Sequence, residues 1–211
     1  MSDASLEQGL AELGLALSPA TQARLAAFAA LLQKWNKVYN LTSIRDAQQV
    51  VTHHLLDSLA VLPQLDGIAT LADVGSGGGL PGIPLAIAAA ECRPDLAITS
   101  IETVNKKASF QQQAKIELGL ANFTVLNERV ENVRPAAAFD AVISRAFSEL
   151  SDFVGLTAQL LRPGGHFLAM KGVYPRDEIA RLPAAFRVVE SRPLTVPGLG
   201  AERHLIIMEK N

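Results

Sequence analysis

The sequence predicts an α/β fold with a Rossmann-like, doubly wound sheet of seven strands, mostly parallel, that ends in an antiparallel hairpin. Three observations predict this fold. Short apolar and β-branched runs alternate with helical patterns from residue 69 onward, which is typical of βαβ units and a parallel sheet. The last two runs are joined by a short loop with no helix between them. A purely helical pattern precedes the first run.

The first 65 residues are predicted to form an N-terminal helical extension. Ser18 has the character of an N-cap, and Pro19 follows at the first helical position. Apolar residues then recur at spacings of three and four and form one stripe: Leu25, Phe28, Ala29, Leu32, Trp35 and Tyr39. A second helix is predicted to begin near Asp46 and to end before Pro63. Its inner face is predicted to comprise Val51, Leu55, Leu59 and Leu62.

Residues 66–211 are predicted to form the domain that contains the sheet. The predicted strands are, in order, ATLADVG, DLAITSIE, NFTVLN, FDAVISR, HFLAMKG, RVVESRPLTV and ERHLIIMEK. The predicted helices between them are PLAIAAAE, NKKASFQQQAKIELG and LSDFVGLTAQLLRPGG. The final two strands are connected through PGLGA, which predicts the antiparallel hairpin.

Composition excludes several classes of protein. The formal net charge of −2 and the aromatic content of 5% argue against a general polyanion binder, so any nucleic-acid partner must meet a local basic patch. Cys92 is the single cysteine, which excludes a disulfide framework and a cysteine-based zinc cluster and fits a reducing compartment. The N-terminus lacks the features of a signal peptide, and no apolar stretch of about 18 residues occurs. We therefore expect a soluble cytoplasmic protein with no membrane partner.

A glycine-rich loop, within LADVGSGGGLPGIP, connects the first predicted strand to the first helix of the sheet. Glycines at such a junction allow a ligand to approach the main chain at the N-terminus of a helix, so the loop predicts cofactor binding. In one register Gly77, Gly79 and Gly82 satisfy the dinucleotide pattern G-x-G-x-x-G. In another, Asp73 precedes Gly75, Gly77 and Gly79, which resembles the first motif of class I methyltransferases that use S-adenosylmethionine.

Two acidic residues accompany the loop. Asp73 suits the ammonium group of the methyl donor, or it caps the following helix. Glu102, at the end of the second predicted strand, can accept hydrogen bonds from both hydroxyls of a ribose, or it is a solvated acid at a helix start. A nicotinamide oxidoreductase therefore stays an alternative. The short chain after residue 165 and the terminal hairpin favour a methyltransferase, because a dehydrogenase normally needs a further substrate domain.

Several longer motifs resemble one family over nearly the whole chain. They are LQKWNKVYNLTSIRD, HLLDSLAVLP, DVGSGGGLPGIPLAI and ISRAF, followed by MKG and AERHL. In this order they are similar to the bacterial RsmG family, also called GidB. The resemblance implies an S-adenosyl-L-methionine-dependent enzyme that methylates N7 of a guanine in the 530 loop of 16S rRNA (guanosine 527), with S-adenosyl-L-homocysteine as product and no metal. A small-molecule or protein methyltransferase, with the N-terminal helices as a lid, is the alternative.

The residues after the fourth predicted strand permit that chemistry. Methylation of an exocyclic amine usually accompanies an Asn/Asp-Pro-Pro-aromatic motif at this point, whereas this chain has SRAF. Methylation of C5 of a pyrimidine usually needs a cysteine there, and Cys92 precedes the second strand instead. N7 of guanine carries an in-plane lone pair, so positioning at near-attack distance suffices. No catalytic acid, base or nucleophile is therefore assigned.

The resemblance also implies roles for single residues. Gly75 and Leu80 would line the methionine side of the cofactor, Val130 and Glu131 would flank the adenine, and Arg145 would face the cofactor and the target base. Val130 as a core residue, Glu131 as a helix-start acid and Arg145 as an ion-pair partner are the alternatives. The predicted cofactor-binding set is Gly75, Gly77, Leu80, Glu102, Val130, Glu131 and Arg145.

Contacts with RNA are predicted from charge alone. The candidates for phosphate contacts are Lys34, Lys37, Arg45, Lys106, Lys107, Lys171 and Arg203. Trp35 and Tyr39 lie on the apolar stripe, which favours core packing over base stacking. His53 and His54, with Asp57 one turn away, are expected to be structural, with a substrate-side role for His54 as the alternative. Near-neutral charge predicts the 30S subunit as the substrate, and we expect a monomer.

Overall fold

The computed structural model describes residues 3–145, 147 and 149–211, so Ala146 of the ISRAF motif lies outside the described residues. The helices are α1 (Asp3–Glu12), α2 (Pro19–Tyr39), α3 (Ala47–Val50), α4 (Asp57–Leu59), α5 (Gly82–Cys92), α6 (Asn105–Glu117), α7 (Leu150–Thr157) and α8 (Arg176–Ala180). The strands are β1 (Thr70–Val74), β2 (Ala97–Ile101), β3 (Phe123–Leu126), β4 (Phe139–Ser144), β5 (Leu161–Lys171), β6 (Phe186–Pro193) and β7 (His204–Lys210).

The seven strands form one sheet in the order β3-β2-β1-β4-β5-β7-β6. The pairs among β1 to β5 are parallel, whereas β7 runs antiparallel to both β5 and β6. The predicted fold class is therefore confirmed, including the antiparallel hairpin at the end. Because β1, β4 and β5 are neighbours and parallel, the segments that follow Val74, Ser144 and Lys171 lie at one edge of the sheet.

The boundary before β5 differs from the prediction. The sequence predicts a helix through residue 165, but α7 ends at Thr157 and β5 begins at Leu161. Leu161 pairs with Phe139, and the register then shifts before the pairing resumes between Ala141 and His166. The strand can include a Pro-Gly-Gly segment because this irregularity removes the need for regular ladder hydrogen bonds there.

The two helix starts predicted in the N-terminal region, at Ser18 and Asp46, are confirmed by side-chain caps. The Ser18 hydroxyl accepts a hydrogen bond from the Thr21 amide at 3.3 Å, and Asp46 accepts one from the Gln49 amide at 2.9 Å. The four residues of the predicted inner face, Val51, Leu55, Leu59 and Leu62, are buried.

The second helix is not regular. After α3 the chain forms a π-helical segment over Val51–Leu56 before α4 begins. A 3₁₀ turn over Leu62–Gln64 then includes Pro63, whereas the sequence predicts that the helix ends before this proline. Proline is accepted there because the first turn of a helix does not use its N–H group.

One hydrophobic cluster joins the N-terminal helices to the sheet. It includes Leu10 of α1, Phe28 of α2, Leu55 of the π-helical segment and Ile83 of α5. A second cluster lies between the opposite face of the sheet and α7. Because the first cluster crosses the expected domain boundary at residue 65, the division into an extension and a main domain stays a prediction.

Trp35 and Tyr39, in the second half of α2, differ in burial. Trp35 packs against the first cluster, with its ring centroid 5.6 Å from that of Phe110, whereas Tyr39 is 39% exposed. Core packing is therefore confirmed for Trp35 and is wrong for Tyr39, which lies at the end of α2 where the helix leaves the core. No helix of the described residues is long and apolar enough to span a membrane.

Candidate active site

The glycine loop follows β1 at the carboxyl edge of the sheet. Gly75 is exposed, and Gly77 and Gly79 both have a positive φ, of 57° and 76°. A Cβ atom at Gly79 would lie 2.3 Å from Cδ1 of Ile83, so this position requires glycine for conformation and for space. A Cβ atom at Gly77 would meet nothing within 4 Å, so the main chain there borders open space.

A buried polar network holds the loop from the side of β2 and α6. The hydroxyls of Ser76 and Ser100 are 2.6 Å apart, and the Ser100 hydroxyl also donates to Oε1 of Gln111. Nε2 of Gln111 donates to Ser76 Oγ and to the Gly77 carbonyl, both at 2.8 Å. Ser100 and Gln111 expose none of their surface. These hydrogen bonds fix the first half of the loop relative to β2.

The residues of this network were missed by the sequence-based predictions. The available signal was helical spacing: Gln111 lies three residues after Ala108 and three before Ala114, both of which are buried. A polar residue on such an inner face must find hydrogen-bond partners within the fold. Its partners could not be identified, because they lie on other elements.

Asp73 caps α5 from beneath the loop. Its side chain is fully buried, and Oδ2 accepts a hydrogen bond from the Gly82 amide at 2.8 Å. Burial raises the pKa of Asp73 to about 7, and Oδ1 has no hydrogen-bond partner among the described residues. The helix-cap alternative for Asp73 is therefore observed, and a contact with the donor's ammonium stays a prediction.

Glu102 is also almost fully buried, at the end of β2. Oε2 accepts a hydrogen bond from the Gly77 amide at 2.7 Å, and Oε1 accepts one from the Val104 amide at 2.8 Å. The carboxylate thus joins β2 to the glycine loop and is not a solvated helix-start acid. Its predicted role toward a ribose would require hydroxyl groups to replace or share these contacts.

The remaining predicted cofactor residues lie on the same edge. Val130 and Glu131 form a 3₁₀ turn, Val130–Asn132, after β3. The Val130 side chain is buried in the second hydrophobic cluster, whereas Glu131 is exposed. Leu80 is buried at the end of the glycine loop. The structure therefore brings the predicted set to the carboxyl ends of β1, β2, β3 and β4, and contact with a cofactor stays a prediction.

An ion-pair cluster lies beside the loop. Asp57, the first residue of α4, has a side chain that is 2% exposed. Its Oδ2 accepts from Nη1 of Arg145 at 2.9 Å, and its Oδ1 accepts from Nε of Arg203 at 2.8 Å. Arg145 also donates to the carbonyl of His53 at 3.0 Å. The ion-pair alternative for Arg145 is therefore observed, with Asp57 as the partner that the sequence did not identify.

These residues border a cavity of about 370 Å³. Its walls include His53, His54, Asp57, Arg145, Lys171 and Arg203, so it lies between the π-helical segment and the carboxyl ends of β4 and β5. Because β4 is the neighbour of β1 and runs parallel to it, the cavity lies at the same edge of the sheet as the glycine loop. The charge of Arg145 acts on Asp73, near the end of β1, because it opposes the rise in the pKa of Asp73 that burial causes.

His54 is buried against this cavity. Its Nε2 lies 2.9 Å from the Thr42 hydroxyl, and its Nδ1 lies 3.5 Å from Nη2 of Arg145. Burial, followed by the charge of Arg145, lowers the pKa of His54 to about 4, so the ring is neutral at pH 7. The described residues contain no group of three or more His, Cys, Asp or Glu that could hold a metal ion.

The predicted phosphate-contacting cations divide into two sets. Lys34, Lys37 and Arg45 line a second cavity, of about 450 Å³, beside α2. Lys171 instead binds Glu178 at 2.7 Å and the Phe147 carbonyl at 3.0 Å.

Arg203 is likewise held by Asp57. Both Lys171 and Arg203 are thus engaged in ion pairs at the carboxyl edge of the sheet, and their contact with phosphate stays a prediction. Lys106 and Lys107 begin α6, and their role stays a prediction.

The strand order, the terminal hairpin and the glycine loop after β1 define a protein with the class I methyltransferase fold. Solved methyltransferase structures align with this fold. The mitomycin 7-O-methyltransferase MmcR aligns with a TM-score of 0.62 at 16% identity, over 100% of this chain and 74% of that chain. The O-methyltransferase TomG from Streptomyces achromogenes aligns with a TM-score of 0.60 at 17% identity, over 100% of both chains.

The sequence matches give the family. The model described as GidB, rRNA small subunit methyltransferase G, matches residues 21–206. The protein named ribosomal RNA small subunit methyltransferase G from Aromatoleum aromaticum (strain DSM 19018 / LMG 30748 / EbN1) is 88% identical over 211 residues, which is 100% of each chain. The protein of the same name from Azoarcus sp. (strain BH72) is 63% identical over 205 residues, which is 97% of this chain and 95% of that protein. This chain belongs to the GidB family.

Proposed function

We propose that this chain transfers the methyl group of S-adenosyl-L-methionine to N7 of a guanine in the 530 loop of 16S rRNA, at guanosine 527 by family resemblance. The observation that carries the proposal is the cationic cavity beside the glycine loop in a chain of the GidB family. The loop suits the donor, the adjacent cavity suits a base, and both lie at the carboxyl edge of the sheet, where ligands of this fold bind.

The residues present fit the methyl donor. Open space borders the main chain at Gly77, Gly75 is exposed, and the carboxylate of Glu102 lies behind the loop. The residues proposed to hold the donor are Gly75, Gly77, Leu80, Glu102, Val130, Glu131 and Arg145. When bound, S-adenosyl-L-methionine supplies an electrophilic methyl group, and S-adenosyl-L-homocysteine is released after transfer.

Positioning is proposed to be the main contribution of the protein to the rate. N7 of guanine carries a lone pair and has no proton to remove, so holding it in line with the methyl group is sufficient. The cavity is consistent with this, because buried His54 is neutral, with a pKa of about 4, and the carboxylate of Asp57 is bound by two arginines. A histidine with this pKa is a weak base near pH 7.

The substrate is proposed to be the 30S ribosomal subunit in the cytoplasm, bound by a monomer of this protein. A formal net charge of −2 gives little general attraction for RNA, so particle shape must supply part of the recognition. Lys34, Lys37 and Arg45 form the local basic patch that such binding needs.

The test is methyl transfer from labelled S-adenosyl-L-methionine to 30S particles isolated from a strain that lacks the gene. We expect one labelled guanine, mapped by mass spectrometry to the 530 loop, and little transfer to a short naked hairpin. Equal labelling of hairpin and particle would refute the 30S claim. Label in a metabolite or protein instead of RNA would refute the RNA claim, and tighter equilibrium binding of NAD than of S-adenosyl-L-homocysteine would refute the methyltransferase claim.

A matched pair of variants controls this experiment. Gly75→Arg places a long side chain at the exposed loop and is expected to abolish binding of S-adenosyl-L-homocysteine. Gly67→Arg places the same side chain at a turn before β1, where φ is also positive, 75° against 69° at Gly75. Both variants carry the same backbone strain, so a loss of binding confined to Gly75→Arg would reflect the position of the pocket.

A further inference from the structure

We propose that the cavity bordered by His54, Asp57, Arg145 and Arg203 receives the target base, and that Arg145, held by Asp57, selects guanine by donating a hydrogen bond to its O6 atom. This inference rests on the proposed function, because it names the part of the substrate that the cavity recognises. The family resemblance implies only that Arg145 faces the cofactor and the target base; the hydrogen bond to O6 and the positioning role of Asp57 go beyond it.

The size and position of the cavity suit one nucleotide. Its volume is about 370 Å³, within the range of about 300–1,000 Å³ that is usual for small-ligand sites. An enzyme that modifies a base must take it out of its stack and hold it in such a pocket. The cavity and the glycine loop follow the neighbouring parallel strands β4 and β1, so a base in the cavity would lie on the side of the methyl donor.

The charge of the cavity suits an RNA nucleotide. Arg145 and Arg203 share the single carboxylate of Asp57, His54 is neutral, and Lys171 is paired with Glu178. One positive charge is therefore left in excess around the cavity. Both arginine side chains stay accessible, with 25% and 23% of their surface exposed, so they can still contact a ligand.

The chemistry of the arginine selects between the purines. N7 and O6 of guanine lie side by side on one edge and are both acceptors, whereas adenine presents an amino group in place of O6. When N7 faces the methyl donor, O6 faces the same side, where Arg145 lies. A guanidinium has donors only, so it pairs with O6 of guanine and not with the amino group of adenine.

Asp57 fixes the direction of that donor. It binds Nη1 of Arg145 at 2.9 Å, and the His53 carbonyl accepts from the same nitrogen at 3.0 Å. Two acceptors on one nitrogen hold the guanidinium in one orientation. His53 belongs to the π-helical segment Val51–Leu56, which ends immediately before Asp57, so this segment places the His53 carbonyl next to Arg145. Asp57 is thus a positioning residue that acts through Arg145.

The test compares two target bases in reconstituted 30S particles, with guanine or 2-aminopurine at the methylated position. 2-Aminopurine keeps N7 but lacks O6. We measure the ratio of kcat/KM for guanine over that for 2-aminopurine in the wild-type protein, in Arg145→Met and in Asp57→Asn. Arg24→Met is the control, because Arg24 binds the Leu118 and Gly119 carbonyls, away from the cavity.

A base contact of this kind is worth on the order of 10-fold to 100-fold in discrimination. The ratio is expected to fall by that factor in Arg145→Met, to fall partly in Asp57→Asn, and to stay unchanged in Arg24→Met. A general loss of folded enzyme cancels in the ratio. If Arg145→Met does not turn over, Arg145→Lys is measured, and the ratio is again expected to fall because the fixed fork is lost.

Unchanged ratios in the Arg145 and Asp57 variants would overturn the inference, while methylation of guanine by the wild type would leave the proposed function standing. No transfer to guanine by the wild type would overturn the proposed function, and the inference with it.

Discussion

Replacement of Gln111 by leucine tests whether the buried network positions the glycine loop for the cofactor. Leucine has a similar size and leaves no large cavity, but it removes three hydrogen bonds. Gln111 donates to Ser76 Oγ and to the Gly77 carbonyl, each at 2.8 Å, and accepts from the Ser100 hydroxyl. The variant therefore removes the link between α6 and the loop and keeps the loop sequence intact.

The expected loss in the free energy of unfolding follows from these three hydrogen bonds. At about 1 kcal/mol net for each buried hydrogen bond, the loss is about 3 kcal/mol. Ser76 and Ser100 stay hydrogen-bonded to each other at 2.6 Å. The Gly77 carbonyl is therefore the group most affected, because it loses the hydrogen bond from Gln111. If about 1.4 kcal/mol of the loss falls on the loop conformation that binds the cofactor, affinity falls about 10-fold.

The assay is calorimetric titration with S-adenosyl-L-homocysteine, together with urea unfolding of the same samples. Gln113→Leu is the matched control, because Gln113 is on the same helix and bonds only Glu117 among the described residues, at 2.7 Å. We expect about 10-fold weaker binding for Gln111→Leu and no change for Gln113→Leu. A Gln111→Leu protein that is less stable but binds with wild-type affinity would show that the network is structural only.

Two further predictions concern the fold. Gly79→Ala adds a Cβ atom 2.3 Å from Cδ1 of buried Ile83, at a φ of 76°. We expect it to lower the free energy of unfolding in urea by about 2–4 kcal/mol. The control is Gly119→Ala, at a φ of 61° with nothing within 4 Å, which should lower it by about 1–2 kcal/mol. Equal losses would contradict the predicted clash. Hydrogen bonds from Arg162 first, and then from Thr70 and Ala69, lower the pKa of Asp140 from 3.8 to about 2, so about 2 kcal/mol of stability is present above pH 4 and is lost as the pH falls toward 2. Unfolding measured between pH 6 and pH 2.5 should show this loss in the wild type and a smaller one in Asp140→Asn, and identical profiles would refute it.

The order of elements and the location of the loop could be read from the sequence because they depend on near neighbours. Ser18 and Asp46 cap helices through residues three positions away, as their spacing predicted. Seven apolar runs separated by helical patterns or a short turn are enough to specify a mostly parallel sheet with a hairpin at its end. The glycine pattern after the first run predicted a loop between β1 and α5, and the structure has that loop at the carboxyl edge of the sheet.

Only the tertiary structure decided which polar groups meet. Asp57 binds Arg145 and Arg203 across separations of 88 and 146 residues, and Gln111 binds Ser76 across 35. Such pairs depend on how distant elements pack, and a buried charge or amide takes whichever partner the fold brings to it.

The sequence by itself therefore determined the fold class, two helix starts and the position of the glycine loop after the first strand. The tertiary structure decided that Asp73 caps α5, that Glu102 joins β2 to the loop, and that two arginines share one aspartate beside the cavity. The physical reason is that backbone conformation follows from local spacing, whereas the environment of a side chain follows from contacts between elements that are remote in the chain.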